Sequence, residues 1–407
     1  MNPYGRITSC SSHTPFSGLP VGPGTAGDAV RHTSDARREG DMHNKALTTV
    51  NVFSIIRDEH NIFMDDSFQE GQRMNTIKDV ARVSGTSVAT VSRVLNNKTV
   101  REENYRRIIR AMNELDFKVN NQARSLKTRK TMIVGVVIPR FDDVYFMKVA
   151  KAIQINLSQK GYFMFLVDSD KNFENEKKQV KRLVEEKVDG LIVVPASNKG
   201  DYLKEYADRT SIVLLDQLVD DFEADTVVTD SVNCVYESVE MFIRKGHKRI
   251  GIICGPQYLF TARERLNGYL RVHEDYKIPV DENLIKITGY DMVSGYNVME
   301  EFIKMDESVR PTAIMATNYD ITKGVVMAMQ ENGCRIPDDY SFIGYDFDEL
   351  ATLFSPSLSI VVEAIDEIGE CVVDVLYKSM KGIKSKDVYE VFRVKPTLII
   401  KDSIKKI

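Results

Sequence analysis

The chain has 407 residues, 43% of them hydrophobic and 28% charged, with a formal net charge of −4. That is soluble globular composition, and at about 100–200 residues per domain it predicts two or three domains. No apolar stretch reaches the 18 or more residues of a membrane span, and the N-terminus lacks the basic-then-apolar order of a secretory signal, so neither a membrane nor a secreted protein is expected.

The charge is unevenly placed. Residues 1–73 carry 7 Lys+Arg against 9 Asp+Glu, residues 74–131 carry 13 against 5, and residues 132–407 carry 35 against 45. A basic module of net +8 on an acidic body predicts a polyanion partner for the module alone. Cys10, Cys234, Cys254, Cys334 and Cys371 stand singly, without metal-ligand spacing, and read as small core hydrophobes; no metal and no cofactor is expected.

Residues 1–73 hold 7 of the 23 glycines, 4 of the 12 prolines and 4 of the 6 histidines, and lack helical or strand period. They read as a disordered leader or an upstream extension, with the functional start at Met74. Gly22-Pro23-Gly24-Thr25-Ala26-Gly27 formally matches a nucleotide-binding glycine pattern, but no strand precedes it and Pro23 interrupts it.

From Thr76 the chain reads as short helices. Thr76 and Asp79 make a capping-box-like opening, and Ile77, Val80 and Ala81 form an apolar face. Gly85 supplies the positive φ of a tight turn. A second helix from about Ser87 turns Val91, Val94 and Leu95 inward, and a third spans about Glu102 to Leu115, burying Ile108, Ile109, Met112 and Leu115. Two helices across a glycine turn, in a +8 segment, predict a helix-turn-helix.

From Met132 apolar runs alternate with amphipathic stretches. Strands are predicted at 132–138, 163–167, 190–194, 212–215, 249–253, 313–316 and 341–343, with helices over 146–160 and 176–187 between the first of them. This alternation predicts doubly wound parallel α/β sheets, and its length predicts two lobes with a cleft.

Several segments carry a family resemblance. Thr76-Ile77-Lys78-Asp79-Val80-Ala81, Gly85-Thr86-Ser87 and Ala89-Thr90-Val91-Ser92-Arg93-Val94-Leu95-Asn96 resemble the lactose/galactose-repressor family, and Ala123-Arg124-Ser125-Leu126 resembles its hinge. In the body, Val188-Asp189-Gly190, Gly246-His247-Lys248-Arg249-Ile250, Arg265-Leu266-Asn267-Gly268-Tyr269 and the run Ile336 to Asp346 agree, so the resemblance covers about 76–400. It implies a cytoplasmic, homodimeric transcriptional regulator of carbohydrate-metabolism genes. The implied partners are double-stranded operator DNA and a small effector (a sugar, sugar acid or sugar phosphate), with no membrane. The implied organisation is a helix-turn-helix at 74–119 and a hinge helix or linker at 120–131. A first lobe follows at 132–229 and 360–390, and a second at 230–359 and 391–407. Gly-Thr-Ser for the usual Gly-Val-Ser, a shorter loop at 96–100 and Val119-Asn120 for Pro-Asn are departures from the pattern.

Site residues follow. Val88, Ala89 and Arg93 correspond to base-reading positions; a guanidinium forks onto guanine O6 and N7, and its alternative is a phosphate contact. Val88 can instead join Val91 and Leu95 in a core stripe. Thr76, Ser87, Ser92 and Asn96 suit phosphate or backbone positioning. Asn120, Ala123 and Leu126 belong to the hinge, where Leu126 is a minor-groove wedge by resemblance or an exposed linker leucine by composition. For the effector, Arg265 corresponds to a forked donor, Asn318 and Asp346 to polyol-binding positions, and Asp216, Tyr145 and Phe146 to strand or loop ends on the same cleft. Asn318 and Asp346 have a plainer role as turn caps. Tyr319 and Asp143-Val144 depart from the usual Asp and Asn-Pro.

The rivals are a solute-binding protein of a transport system, which would lack residues 74–131, and an enzyme on the same scaffold. No G-x-S-x-G, H-E-x-x-H or P-loop pattern occurs, and His247 and His273 are the only body histidines, so an enzyme is not expected.

Overall fold

The computed structural model describes the backbone of residues 6–9 and residues 75–95, 98–117, 130–346, 351–383 and 388–407. Residues 13–120 and the remainder of the chain form two separate compact units.

The smaller unit has three helices, α1 (Ile77–Ser84), α2 (Val88–Leu95) and α3 (Glu102–Glu114). The Asp79 carboxylate accepts the Thr76 N–H at 2.9 Å and the Thr76 hydroxyl at 2.7 Å, which closes the start of α1. These hydrogen bonds to the ionised form hold the Asp79 carboxyl at about 2. Gly85 ends α1 in the left-handed conformation at φ 63°. Val80, Ala81, Val91, Val94, Ile108 and Ala111 make the core, with Ile109, Met112 and Leu115 packed around it.

In the larger unit, β2 (Ile133–Ile138), α4 (Val144–Gln159), β3 (Phe163–Asp168), α5 (Phe173–Glu185), β4 (Gly190–Val193), the short α6 (Lys204–Ala207), β5 (Ser211–Leu215) and β6 (Asp225–Thr229) build a first parallel sheet. The second lobe contains α7 (Ser231–Arg244), β7 (Ile250–Cys254), α8 (Phe260–Asp275), β8 (Ile285–Ile287), α9 (Met292–Lys304), β9 (Ala313–Ala316), α10 (Tyr319–Glu331), β10 (Ser341–Tyr345) and β11 (Ser359–Val362). The chain then returns to the first lobe with α11 (Ile365–Met380) and β12 (Glu390–Val394), and ends in the second with β13 (Thr397–Ile399). Central strands such as β4, β5, β9 and β10 are almost wholly buried because helices cover both faces of each sheet. Among the described residues, only β11 with β13 pairs antiparallel. Gly268 lets α8 approach α7 closely, since a Cβ there would collide with the Val232 carbonyl.

Two sequence expectations are corrected. The segment assigned to the first lobe, 360–390, begins and ends too early: β11 pairs with β10 in the second sheet, while β12 pairs with β6 in the first. The return therefore spans 365–394. Glu390-Val391-Phe392-Arg393-Val394 is interrupted by Arg393 and lacks the continuous apolar run of a central strand, so its pairing is not evident from composition. In the leader, β1 (Arg6–Ser9) pairs parallel with the outer edge of β12, in register from Arg6 with Glu390 to Ser9 with Arg393. An open sheet edge accepts a short strand holding β-branched residues. The rest of 1–73, including the Gly22–Gly27 pattern, lies outside the described residues.

Candidate DNA interface and effector cleft

In the helical unit, the Ser87 Oγ accepts the Thr90 N–H at 3.1 Å and its hydroxyl lies 2.8 Å from that of Thr90, fixing the start of α2. The Arg107 guanidinium donates to the Gly85 carbonyl at 3.4 Å and so joins α3 to the turn. Val91 and Val94 turn inward, which leaves Val88, Ala89 and Arg93 exposed and Ser92 half-buried on the outer face. Val88 is 42% exposed, so the core-stripe alternative for it fails; Val91 and Val94 fill that place. The exposed group combines an apolar step with a forked cation, the pairing that reads thymine methyls and guanine edges. Asn96, Asn120, Ala123 and Leu126 lie outside the described residues.

In the larger unit, all six expected effector residues line one cavity of about 410 Å³ between the lobes. Asp143 caps α4, accepting the N–H groups of Tyr145 at 3.0 Å and Phe146 at 3.4 Å, and thereby presents both rings at the cavity wall. The rings meet edge-on with centroids 5.0 Å apart. The Tyr145 hydroxyl donates to Asp216 at 3.4 Å.

Asp216 and Asp346 are equivalent in the two lobes. Each follows a strand end, β5 or β10, in the left-handed region at φ 65° and 53°. Each donates its N–H at 2.8 Å to the next strand, Asp216 to Val227 and Asp346 to Val361. Aspartate is among the few residues that adopt this conformation with ease, and here it turns a carboxylate into the cleft twice. Burial, partly opposed by Arg265, lifts the Asp216 carboxyl to about 7. Burial and the neighbouring Glu363 push Asp346 well above the usual carboxylate range.

Arg265 is only 7% exposed and already well engaged. It donates to the Thr317 carbonyl at 2.6 Å, to the Tyr290 hydroxyl at 3.3 Å and to Glu363 at 3.3 Å, and lies 4.2 Å over the Tyr345 ring. Its Nε has no partner. Asn318 lines the cavity while capping α10, its Oδ1 accepting the Ile321 N–H at 2.8 Å, so the plainer role and the cleft position coincide.

Sequence reasoning missed Glu363, Gln217 and Tyr290. The Glu363 carboxylate accepts from Thr229 at 2.6 Å, Tyr345 at 2.9 Å and Arg265, joining both lobes at a crossover. The Gln217 carbonyl accepts the Phe260 N–H at 2.6 Å, tying the first lobe to the start of α8. A polar residue immediately after an apolar strand was the available signal for Glu363, whereas Gln217 stands one position further on, behind Asp216. Tyr290, after Gly289, carried none.

A cleft with alternating donors, acceptors and rings, on a chain that also presents an exposed recognition helix, matches one known arrangement. Residues 76–120 match the family of bacterial regulatory proteins, lacI family, and residues 131–401 match periplasmic binding proteins and sugar binding domain of LacI family. The chain belongs to the LacI family. It is a DNA-binding transcriptional regulator with a ligand-binding domain. Among curated relatives of this LacI-family chain, the HTH-type transcriptional repressor PurR of Vibrio parahaemolyticus is 30% identical over 338 residues, covering 82% of this chain and 100% of that protein. PurR of Vibrio atlanticus is 31% identical over 337 residues, covering 82% and 99%. Among solved structures, the lac repressor dimer bound to operator and the anti-inducer ONPF superposes with a TM-score of 0.69 at 23% identity, covering 81% of this chain and 99% of that one. The transcriptional regulator CelR–cellobiose complex gives 0.60 at 23%, with coverage of 81% and 99%.

Proposed function

We propose that this LacI-family chain is a homodimeric repressor of carbohydrate-metabolism genes, acting in the cytoplasm, where its operator DNA resides. A sugar-like effector bound between the lobes sets its affinity for that operator. The observation that carries the reading is the interlobe cavity, where rings, carboxylates and a forked cation converge. Flat apolar sugar faces suit Tyr145 and Phe146, and sugar hydroxyls suit Asp216, Asn318 and Asp346. Relatives support the rest: the lac repressor structure is a dimer on operator, and CelR holds cellobiose.

In this reading Val88, Ala89 and Arg93 read bases in the major groove, Thr76, Ser87, Ser92 and Asn96 position the helix on phosphates, and Asn120, Ala123 and Leu126 form the hinge, with Leu126 as the minor-groove wedge. The effector favours one lobe arrangement and shifts the DNA-competent population, a coupling typically worth about 1–3 kcal/mol.

Selection of bound sequences from a random duplex library, followed by binding titrations with and without candidate sugars, tests the proposal. A selected, two-fold symmetric sequence whose affinity changes with a sugar is expected. Binding of a sugar with no sequence preference for DNA would favour the transport-protein alternative. The absence of turnover of the bound sugar would separate regulator from enzyme.

A further inference from the structure

The start of α8 is held from the other lobe. The first N–H groups of a helix have no partner within it, and Leu259, the residue before α8, offers no side-chain cap. The Phe260 N–H is accepted instead by Gln217 of the first lobe. The Phe260 ring packs with Val228 of β6 and Val391 of β12. Arg393, on the same face of β12 as Val391, donates to Glu264 at 2.7 Å and lies 5.8 Å from the Phe260 ring.

Phe260 and Glu264 are four residues apart and share one stripe of α8, which the first lobe grips. Thr261 and Arg265, each one residue further on, form the neighbouring stripe and line the interlobe cavity. One turn of helix thus carries both the grip on the first lobe and two groups that face the effector. A shift of the grip turns Thr261 and Arg265 with it.

The two ion pairs of this region differ in what parting would cost. Arg265 and Glu363 are 9% and 1% exposed, so separating them would strand buried charge. Arg393 and Glu264 are 21% and 15% exposed, close enough to water for both groups to be rehydrated when they part. The second pair therefore suits an element with a closed and an open form, whereas the first is fixed structure.

From this geometry, and resting on the effector and operator readings above, we propose that Glu264 and Arg393 are positioning residues that form a clasp between the lobes. Neither belongs to the cavity wall. Closed, the clasp sets the stance of α8 and with it Thr261 and Arg265. Its opening shifts the lobe arrangement that operator binding selects.

The test uses the full chain with Arg393→Glu, Glu264→Arg and the two combined. Hydrogen exchange resolved to single amides reads the clasp at Phe260, whose N–H is bonded across the lobes. Each single substitution sets like charges together and should speed that exchange roughly tenfold, and the combination should return it toward the parent rate. The N–H groups of Val194 and Phe342, bonded within the first and second lobes to Val137 and Ser403, should be unaffected. Unchanged exchange at Phe260 overturns the clasp, as does a combination that recovers nothing. Equal acceleration at Val194 and Phe342 also overturns it, because the pair would then support only the fold.

Operator affinity is read on a duplex that the parent chain selects from a random library. It should change about fivefold or more, in the same direction for both single variants, and recover in the combination. The two substitutions alter net charge oppositely, so a common direction cannot come from overall charge. Faster exchange at Phe260 with unaltered operator affinity overturns the link to DNA and leaves the positioning role standing. If the parent selects no duplex, the operator reading fails and takes that link with it, and the exchange rates alone decide the positioning role.

Discussion

Arg93 and Arg265 are the same residue in opposite settings. Arg93 sits exposed on α2 with its fork toward solvent, whereas Arg265 is buried on α8 beneath Tyr345 and bound to Glu363, Tyr290 and Thr317. A side chain that reads a solvated polyanion must remain available until docking, so its supports lie in the backbone that carries it: the Thr76–Asp79 cap and the Gly85 turn. A side chain that helps to recognise a small molecule must be set in advance, because mobility at a small site costs affinity with few contacts to offset it. Substitutions in the two regions should accordingly differ in kind: on α2 they change recognition and spare the fold, in the cleft they change both.

The largest effect is expected at Glu363. Glu363→Ala leaves Arg265 buried without its counter-charge and strips Thr229 and Tyr345 of their acceptor. Breaking one partner of a buried pair costs about 3–5 kcal/mol. A large fall in Tm should appear with and without ligand, and Glu363→Gln, which keeps the acceptor oxygen, should fall less. An unchanged Tm for Glu363→Ala would show that Arg265 holds its place without the pair. Arg265→Ala carries the same penalty from the other side, so lost sugar binding in that variant speaks to recognition only when folding is shown to persist.

Asp216→Asn separates stability from recognition. The Asp216 carboxyl is raised to about 7 from an unfolded value near 3.9. Between those values the folded state retains a proton the unfolded state has lost, so stability falls as pH rises through the window from about 4 to about 7, then levels. Asparagine removes that fall. Free of ligand, Asp216→Asn should therefore melt higher than the parent at pH 7.5 and no higher at pH 4. Its sugar affinity should drop by about 1.5–3 kcal/mol, the worth of a hydrogen bond to a charged group. A variant that melts lower at pH 7.5 would contradict the burial cost assigned to this carboxylate.

Arg93→Ala sharpens the other half of the comparison. With its side chain exposed, its loss should leave stability within about 0.5 kcal/mol of the parent. Discrimination at one guanine of each half-site should weaken by about 1–3 kcal/mol. A uniform loss across all sequences, with a shallower salt dependence, would assign Arg93 to phosphate instead.

How far the sequence discloses each region follows from the same contrast. The helical unit is local: cap, turn glycine and inward apolar stripe lie within forty residues, and the charge imbalance marks the partner. Its one open choice was Val88, where a 3.6-residue period cannot tell the edge of a core stripe from an exposed position beside it, and the structure leaves it exposed. The central strands were legible because burial on both faces leaves continuous apolar runs. The lobe crossovers were not, since β12 is broken by Arg393 and its partner β6 lies some 165 residues earlier. The cleft is non-local throughout. Tyr145, Asp216, Arg265, Asn318 and Asp346 come from five separate segments, and only the family resemblance brought them together before the fold did. Glu363 gave a weaker local sign, a polar residue closing an apolar run, which strand ends throughout this sheet architecture share.

The smallest effect, and the most direct test of backbone support for recognition, is Gly85→Ala. Gly85 holds φ 63°, and a Cβ there would press on the Arg107 guanidinium, the far end of a flexible side chain. The clash is therefore relieved by moving Arg107, whereas the left-handed backbone is not relieved at all, and the expected cost is about 1 kcal/mol. Since Arg107 also bonds the Gly85 carbonyl, the variant loosens the seam between the turn and α3. If α2 is held in its reading position by this turn, operator affinity should fall together with the stability of the helical unit, while sugar affinity in the cleft is unchanged. Gly85→Asn, which tolerates the left-handed region better, should recover part of both losses. A loss of operator affinity without loss of stability would place the turn itself against the DNA, and the division between exposed readers and backbone supports would then have to be redrawn on this side of the molecule.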